Sequence, residues 1–198
     1  MEDLGEDIVL PAFHNLDFNQ MRSGISHHSI ETLLDMGPDI VKEAYKKLGR
    51  MSFDEWILDG KKIEIRQIQV LADGHKYVGC WDAVDNVKHG FGIDLSPEGN
   101  LYEGYWVGGV PHYQGRIIFA GGKVIEGDFE HGTPVSGRII QPYGEIYSGK
   151  IQDNQPFGEG KLTLPTATHS QACSEGRTWM ALGACLFRIR RLLFVEIS

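Results

Sequence analysis

Residues 102–115 read YEGYWVGGVPHYQG and carry four glycines and four aromatic rings. Tyr102, Gly104 and Trp106 are spaced i, i+2, i+4, so on a strand their side chains share one face of a sheet. Gly104 leaves a slot between two rings, and we expect a ring from the neighbouring hairpin to fill it. Glycines such as Gly109 suit tight turns with positive φ. The stretch therefore predicts one β-hairpin of a stack.

The same pattern occurs four times in the chain. The units begin at Tyr77, Tyr102, Ile125 and Tyr147, which makes the periods 25, 23 and 22 residues. In each unit the first residue is followed two positions later by glycine and four positions later by Trp, Phe or Ile. Between positions 74 and 160 lie 18 of the 25 glycines. A period of this length is typical of repeat architectures.

These units resemble the MORN repeat, whose signature is approximately YxGxWxxGxxHGxGxxxxxxG. The matching positions of the first two units are Tyr77, Gly79, Trp81, His89, Gly90, Gly92 and Gly99, then Tyr102, Gly104, Trp106, Gly109, His112, Gly115 and Gly122. Tyr113 replaces a glycine in the second unit, Ile125 replaces tyrosine in the third, and Phe157 replaces histidine in the fourth. The resemblance implies a mainly β fold: a single-layer antiparallel sheet of stacked MORN hairpins, an open solenoid.

Three regions follow from this interpretation. Residues 1–60 are expected to form an N-terminal helical or irregular cap, 61–167 the repeat sheet, and 168–198 an amphipathic C-terminal tail. Within the cap, the pattern predicts a helix over Ser29–Met36 with Ser29 as N-cap, ended by Gly37-Pro38. Pro38 and Gly49 delimit a second predicted helix. Its expected buried stripe is Ile40, Val41, Ala44, Tyr45 and Leu48.

Further signals lie on either side of the repeats. Ser52–Glu55 matches a capping box, and Lys62–Val70 alternates as a half-buried strand that we expect to open the sheet. An open stack has two exposed ends, and we expect the helices to cap one. The tail carries apolar residues at helical spacing; it could cap the other end, lie along the sheet, fill the groove, form a strand pair, or be disordered alone. These apolar residues are Trp179, Leu182, Leu186, Ile189 and Leu193.

Charge and cysteine content exclude several classes of protein. The net charge is −8, with −5 over residues 1–76, −5 over 77–164 and +2 over the tail. An acidic body disfavours nucleic acid, which requires a positive surface. The three cysteines, Cys80, Cys173 and Cys185, are an odd number without CxxC spacing, which indicates reduced thiols. The acidic start MEDLGEDIVL does not resemble a signal peptide, so we expect a cytoplasmic protein.

The sequence offers no enzyme signature. It lacks a P-loop, GxSxG, HExxH and the kinase motifs, so we expect no catalytic residue, no cofactor and no metal. His27 and His28 diverge by about 100° on a helix and make a poor metal pair. His89 and His112 are interpreted as turn-bracing residues, and strand alternation directs the Cys80 thiol away from the aromatic face.

The resemblance implies a non-enzymatic adaptor or scaffold that binds a partner helix or peptide, in a cytoskeletal, ciliary, flagellar or axonemal assembly. Self-association is also possible for such proteins. The anchors would be aromatic residues of a groove, as at interface hot spots. The predicted groove residues are Tyr77, Trp81, Tyr102, Trp106, Phe129 and Tyr147.

The alternative is a peripheral module that binds anionic phospholipid. It relies on Arg188, Arg190 and Arg191 in the amphipathic tail. The acidic repeat region argues against it, because an anionic membrane surface would repel that region. For the sheet itself, replacing Gly104 with Val is expected to disrupt packing more than replacing Glu103 with Ala.

Overall fold

The computed structural model describes residues 13–14, 18–51 and 61–165. Within them, an open antiparallel sheet forms most of the fold, and its strands lie in sequence order. The nine long strands are β2 (Lys62–Val70), β3 (Lys76–Asp82), β4 (Val87–Leu95), β5 (Leu101–Val107), β6 (Val110–Ile118), β7 (Val124–Glu130), β8 (Thr133–Ile140), β9 (Ile146–Gln152) and β10 (Gln155–Thr163). The two-residue strand β1 (Phe13–His14) pairs with β2 at the first edge.

The mainly β, open antiparallel sheet is therefore confirmed, and so is the strand Lys62–Val70 beside the first unit. The expectation that this strand opens the sheet was wrong, because β1 pairs with its other side at Lys62 and Ile63. The tyrosine or isoleucine that begins each unit lies at the start of β3, β5, β7 and β9. Where one unit meets the next, glycines pair directly across the strands: Gly92 with Gly104, Gly115 with Gly127, and Gly137 with Gly149. The same register between neighbouring strands thus recurs at each junction between units.

Of the residues described before the long strands, three runs are helical: α1 (Phe18–Gly24), α2 (His27–Asp35) and α3 (Asp39–Leu48). The start predicted for α2 was wrong, because Ser26 is the N-cap and its Oγ accepts from the Ser29 N–H at 3.0 Å. Ser29 lies inside the helix, where its hydroxyl donates to Gln67 Oε1. The bounds of α3 match the prediction, with Gly49 at φ 72° ending it.

The position expected for the helices was also wrong. They lie across one face of the sheet, hereafter the helix face, instead of capping its end: α1 and α2 contact β2–β4 and α3 contacts β6. The fold is therefore not a single layer over β2–β6. Apolar side chains from both layers form the main core, including Leu33, Val41, Phe91 and Ile93. The helices are too short to be stable alone, and burial of their apolar side chains against the sheet stabilises them.

Part of the stripe predicted for α3 is exposed. Val41 and Tyr45 are buried against the sheet, but Ile40 is 44% and Leu48 37% exposed. Among the described residues, only the part of the stripe around Val41 and Tyr45 is fully covered. The capping box Ser52–Glu55 and the whole tail from 166 onward lie outside the described residues.

Cys80 is buried on the helix face, as strand alternation predicted. Its burial raises the pKa of the thiol to about 12. At neutral pH such a thiol stays protonated, which makes it a packing residue and a poor nucleophile.

Candidate partner-binding surface

Five aromatic side chains form one continuous row on the face of the sheet opposite the helices. Neighbouring rings meet edge to face, with centroid distances of 5.1–5.5 Å. In order along the row, which we call the ring ladder, they are Trp81, Tyr77, Trp106, Tyr102 and Phe129. Such contacts contribute about 0.5–1.5 kcal/mol per pair beyond burial. The ladder therefore ties three successive units together.

The slot left by each glycine is filled differently from the expectation. A Cβ on Gly104 would stand 2.5 Å from the hydroxyl of Tyr102, and one on Gly115 2.3 Å from it. The ring over these glycines thus belongs to the same unit, not to the neighbouring hairpin. Tyr77 lies over Gly92 in the same manner. The reason is that the tyrosine side chain extends along its own strand towards the residue three positions later.

A repeated hydrogen bond holds the tyrosines in that position. Tyr77 donates its hydroxyl to the carbonyl oxygen of Cys80 at 2.9 Å, and Tyr102 to that of Tyr105 at 3.1 Å. Cys80 and Tyr105 each lie at a register shift with the following strand, where the ladder of main-chain bonds is interrupted. A hydroxyl donor there satisfies a buried carbonyl. Burial raises the pKa of both Tyr77 and Tyr102.

Tyr147 is separate from the ring ladder. Its hydroxyl donates to the Lys150 carbonyl at 3.1 Å, as in the other units, but its ring packs with Ile125, Ile139 and Ile151. Ile125 stands where the other units have tyrosine, so the third unit has no ring that continues the row beyond Phe129. Five of the six predicted groove residues are thus in one row, and Tyr147 lies beyond it.

All six predicted groove residues are nearly buried, with exposed fractions between 0% and 6%. No described element covers this face, so the rings are shielded by one another and by flanking side chains. A partner would contact the rims of the row and those flanking groups. Half-buried Ile117 packs against both the ladder and the Tyr147 cluster, which places it at their junction.

Lys88 is a flanking residue that the sequence analysis missed. Its ammonium lies 4.4 Å from the ring centre of Trp106 and 4.9 Å from that of Tyr77, within cation–π range. It also pairs with Asp94, whose other oxygen is 2.6 Å from His75 Nδ1. Lys88, Gly90 and Gly92 are spaced by two residues on β4, so strand alternation could have placed Lys88 on this face.

His89 and His112 occupy equivalent positions and brace the next turn, as expected. The Gly108 N–H donates to His89 Nδ1 at 3.4 Å, and the His131 N–H donates to His112 Nδ1 at 3.3 Å. Burial lowers the pKa of His89, which keeps its ring neutral and able to accept. These rings are thus structural connectors between neighbouring hairpins.

A charged row on the helix face was also missed. Arg116, only 2% exposed, pairs with Glu103 at 2.6 Å and Glu126 at 3.4 Å, and donates to the Gly49 carbonyl at 2.7 Å. Tyr45 of α3 donates to Glu103 at 3.2 Å. These contacts anchor α3 to the sheet. The signal was positional: glutamates precede a repeat glycine and arginines follow one.

A scan against protein-family models finds no match for this chain, and neither does a search of curated proteins. Over the ranges 18–51 and 61–165, no group of three or more His, Cys, Asp or Glu side chains is arranged to hold a metal ion. In that same part of the chain, no helix is long and apolar enough to cross a membrane. The predicted lipid contacts Arg188, Arg190 and Arg191 lie outside the described residues.

Proposed function

We propose that this chain is a non-enzymatic MORN-repeat adaptor, which holds a helix or peptide of a partner protein across the ring ladder. The observation that supports this most is the continuity of the ladder: three units present one rigid, edge-to-face row with no described element over it. A rigid aromatic surface suits binding because few side-chain rotamers are lost on association.

The contacts of such a partner follow from the burial of the rings. With ring faces shielded, the partner would pack an apolar side chain at the Ile117 junction, which joins the ladder to the Tyr147 cluster. By the resemblance to MORN proteins, we place the adaptor in a cytoskeletal, ciliary, flagellar or axonemal assembly in the cytoplasm. No cofactor is required for this role.

A photo-crosslinking residue tests the proposal directly. Placed at Ile117 in cells that express the full chain, it should give a discrete protein adduct. The same residue at Val84, which is 75% exposed on a turn, is the matched control. Equal labelling from both positions, or none from Ile117, would overturn the assignment of this face.

The phospholipid alternative stays a separate proposal that depends on the tail. Sedimentation with liposomes, with and without acidic lipid, should compare the full chain with one ending at Thr168. Binding that needs both acidic lipid and the tail would favour a membrane-bound adaptor. If neither chain sediments, the protein-binding proposal gains.

A further inference from the structure

The last strand of the described sheet has one unpaired edge. β10 pairs with β9 on its inner side, and among the described residues the strand order ends there. By contrast, β4, β6 and β8 each pair on their outer side with the first strand of the next unit. The corresponding stretch of β10 is 158–163. The main-chain donors and acceptors along such an edge are a template for another strand.

An irregularity in β10 does not block this edge. The register with β9 shifts between Phe157 and Gly160. Similar shifts occur inside the hairpins β3–β4 and β5–β6, on the inner side of β4 and β6. Both of those strands still pair in regular register with the next unit. The outer edge of β10 is therefore equivalent to edges that do pair.

The residues that follow β10 do not continue the pattern of the units. Four turns at this end of the sheet share two hydrogen bonds and have glycine at the fourth position, with φ between 85° and 94°. These glycines are Gly74, Gly99, Gly122 and Gly144. Ala167 stands at the next such position, where positive φ costs an L-residue about 1–2 kcal/mol. Ser170, Ala172 and Ser174 then replace the tyrosine, glycine and tryptophan of a unit. The sequence thus provides no fifth unit for this edge.

A second copy of β10 matches the edge in one antiparallel register. Where one unit meets the next, glycine faces glycine across the strands. The register that places Gly160 opposite Gly160 of the second copy keeps this arrangement and relates the two copies by a two-fold axis. In this register Glu159 faces Lys161 of the second copy, and Lys161 faces Glu159 of the second copy. Each such pair of opposite charges contributes about 0.2–1 kcal/mol.

The direct pairs select this register, and net charge does not. Lys161 lies opposite Ser148 of β9, and Lys150 is two residues from Ser148, so it shares their face. Each copy therefore brings two lysines and one glutamate close to the contact. Like charges of β10 meet only on the diagonals, where the separation is larger, while opposite charges face each other directly.

The first two tyrosines of the ring ladder each receive a ring from the next unit. Trp106 packs edge to face on Tyr77 at 5.4 Å, and Phe129 packs on Tyr102 in the same way at 5.2 Å. Trp106 lies opposite Gly90 across the junction of β4 and β5. The residue opposite this glycine position is thus the one that joins neighbouring units.

The second copy supplies an apolar side chain at the same position beyond β10. Gly158 is the equivalent of Gly90, and nothing lies within 4 Å of its Cβ position. In the register centred on Gly160, the residue opposite Gly158 is Leu162 of the second copy. Leu162 is half-buried and packs against the cluster of Tyr147 in its own chain. The two clusters therefore become continuous across the contact.

We propose that two copies of this chain pair through the outer edges of their β10 strands, antiparallel and centred on Gly160, into one continuous sheet. The contact uses the same surface of both copies, so it is isologous and closes as a dimer. It involves an edge of the sheet and neither face, and it does not depend on a partner bound over the ring ladder.

Sedimentation velocity of the full chain in reducing buffer tests this pairing. The wild type should show a concentration-dependent equilibrium between monomer and dimer, without larger species. Glu159→Lys places lysines in direct opposition, and Lys161→Glu does the same with glutamates. Each change should weaken the dimer by about tenfold or more. Both side chains are exposed, as is that of Lys46 on α3, where Lys46→Glu is the matched control.

Two combinations of these changes test the register itself. The double variant Glu159→Lys, Lys161→Glu restores opposite charges across the two-fold axis and should regain the dimer. A mixture of the two single variants should form a heterodimer, although each alone is mainly monomeric. The proposal is overturned if the wild type is monomeric or grows beyond a dimer, or if Lys46→Glu weakens association equally. Failure of the double variant or of the mixture to dimerise would also overturn it.

Discussion

Tyr102 donates its hydroxyl to the carbonyl oxygen of Tyr105, three residues along the same strand and 3.1 Å away. The bond bridges a register shift between β5 and β6, so the tyrosine that begins the unit closes the irregularity that follows it. Tyr77 and Tyr147 make the same bond in their own units. The repeat is thus a unit of hydrogen bonding as well as of packing.

Tyr102→Phe should lower the free energy of unfolding by about 1–3 kcal/mol, because a buried carbonyl loses its donor while the ring remains. Urea denaturation followed by tryptophan fluorescence measures the change. A loss within experimental error would mean that the carbonyl finds another donor.

Gly104→Ala should lower the free energy of unfolding by about 1–3 kcal/mol or more. Its Cβ would stand 2.6 Å from the Gly115 Cα, which is main chain and cannot rotate aside. Gly121→Ala is the matched control, since nothing lies within 4 Å of its Cβ position, and we expect a change within about 0.5 kcal/mol. Equal melting temperatures for the two variants would contradict the slot interpretation.

Arg116→Met should be strongly destabilising, by about 3–5 kcal/mol, because Glu103 is 1% exposed and would remain as a buried, unpaired charge. Arg138→Met is the comparison: it also contacts Glu126 but is 59% exposed, so a loss of about 1 kcal/mol or less is expected. The measurement is the midpoint of chemical denaturation. Similar losses for the two variants would show that the burial of Arg116 does not determine how much stability its replacement removes.

Stability should depend on pH through His89. Burial lowers its pKa from 6.5 in the folded chain, so the unfolded chain binds a proton first as pH falls. The contribution is therefore complete above about 6.5 and decreases below it, down to the folded pKa. His89→Asn should reduce the difference in unfolding free energy between about pH 7.5 and about pH 5.5. If the pH dependence of the unfolding free energy is the same in the variant, groups other than His89 cause it.

Cys80 should resist thiol reagents in the folded protein. Its pKa is raised to about 12 by burial, so both the thiolate fraction and the access of reagent are low. In a Cys173→Ser, Cys185→Ser variant, a disulfide reagent should label the chain only after denaturant is added. Rapid labelling of the native variant would place Cys80 at an accessible site.

The glutamate chosen as a mild comparison for Gly104 proved to be a buried residue. Glu103 lies between Tyr102 and Gly104 and alternation correctly turns it to the other face, but that face is covered by α3. Nothing local to Glu103 shows that Tyr45 and Arg116 approach it. Glu103→Ala is therefore not a neutral control for Gly104→Val. A substitution at Gly121, whose Cβ position is open, is the suitable control.

The placement of the helices illustrates the same limit. The bounds of α3 follow from Pro38 and Gly49, whose conformational preferences act within one turn. Whether α3 covers a face or an end depends on which sheet residues are apolar on that side, and those residues are some sixty positions away in sequence. The expectation of an end cap failed for that reason.

The sequence by itself determined the spacing of the units, the strands that carry them and the direction of alternate side chains, since these depend on periods of two and of about 23 residues. Only the tertiary structure decided which ring fills each glycine slot, where the helices lie, and which charges are buried together. Those outcomes depend on contacts between strands and layers that no local pattern encodes. The ring ladder needs both: its residues recur along the chain, but its end at Phe129 and its separation from Tyr147 arise where Ile125 packs.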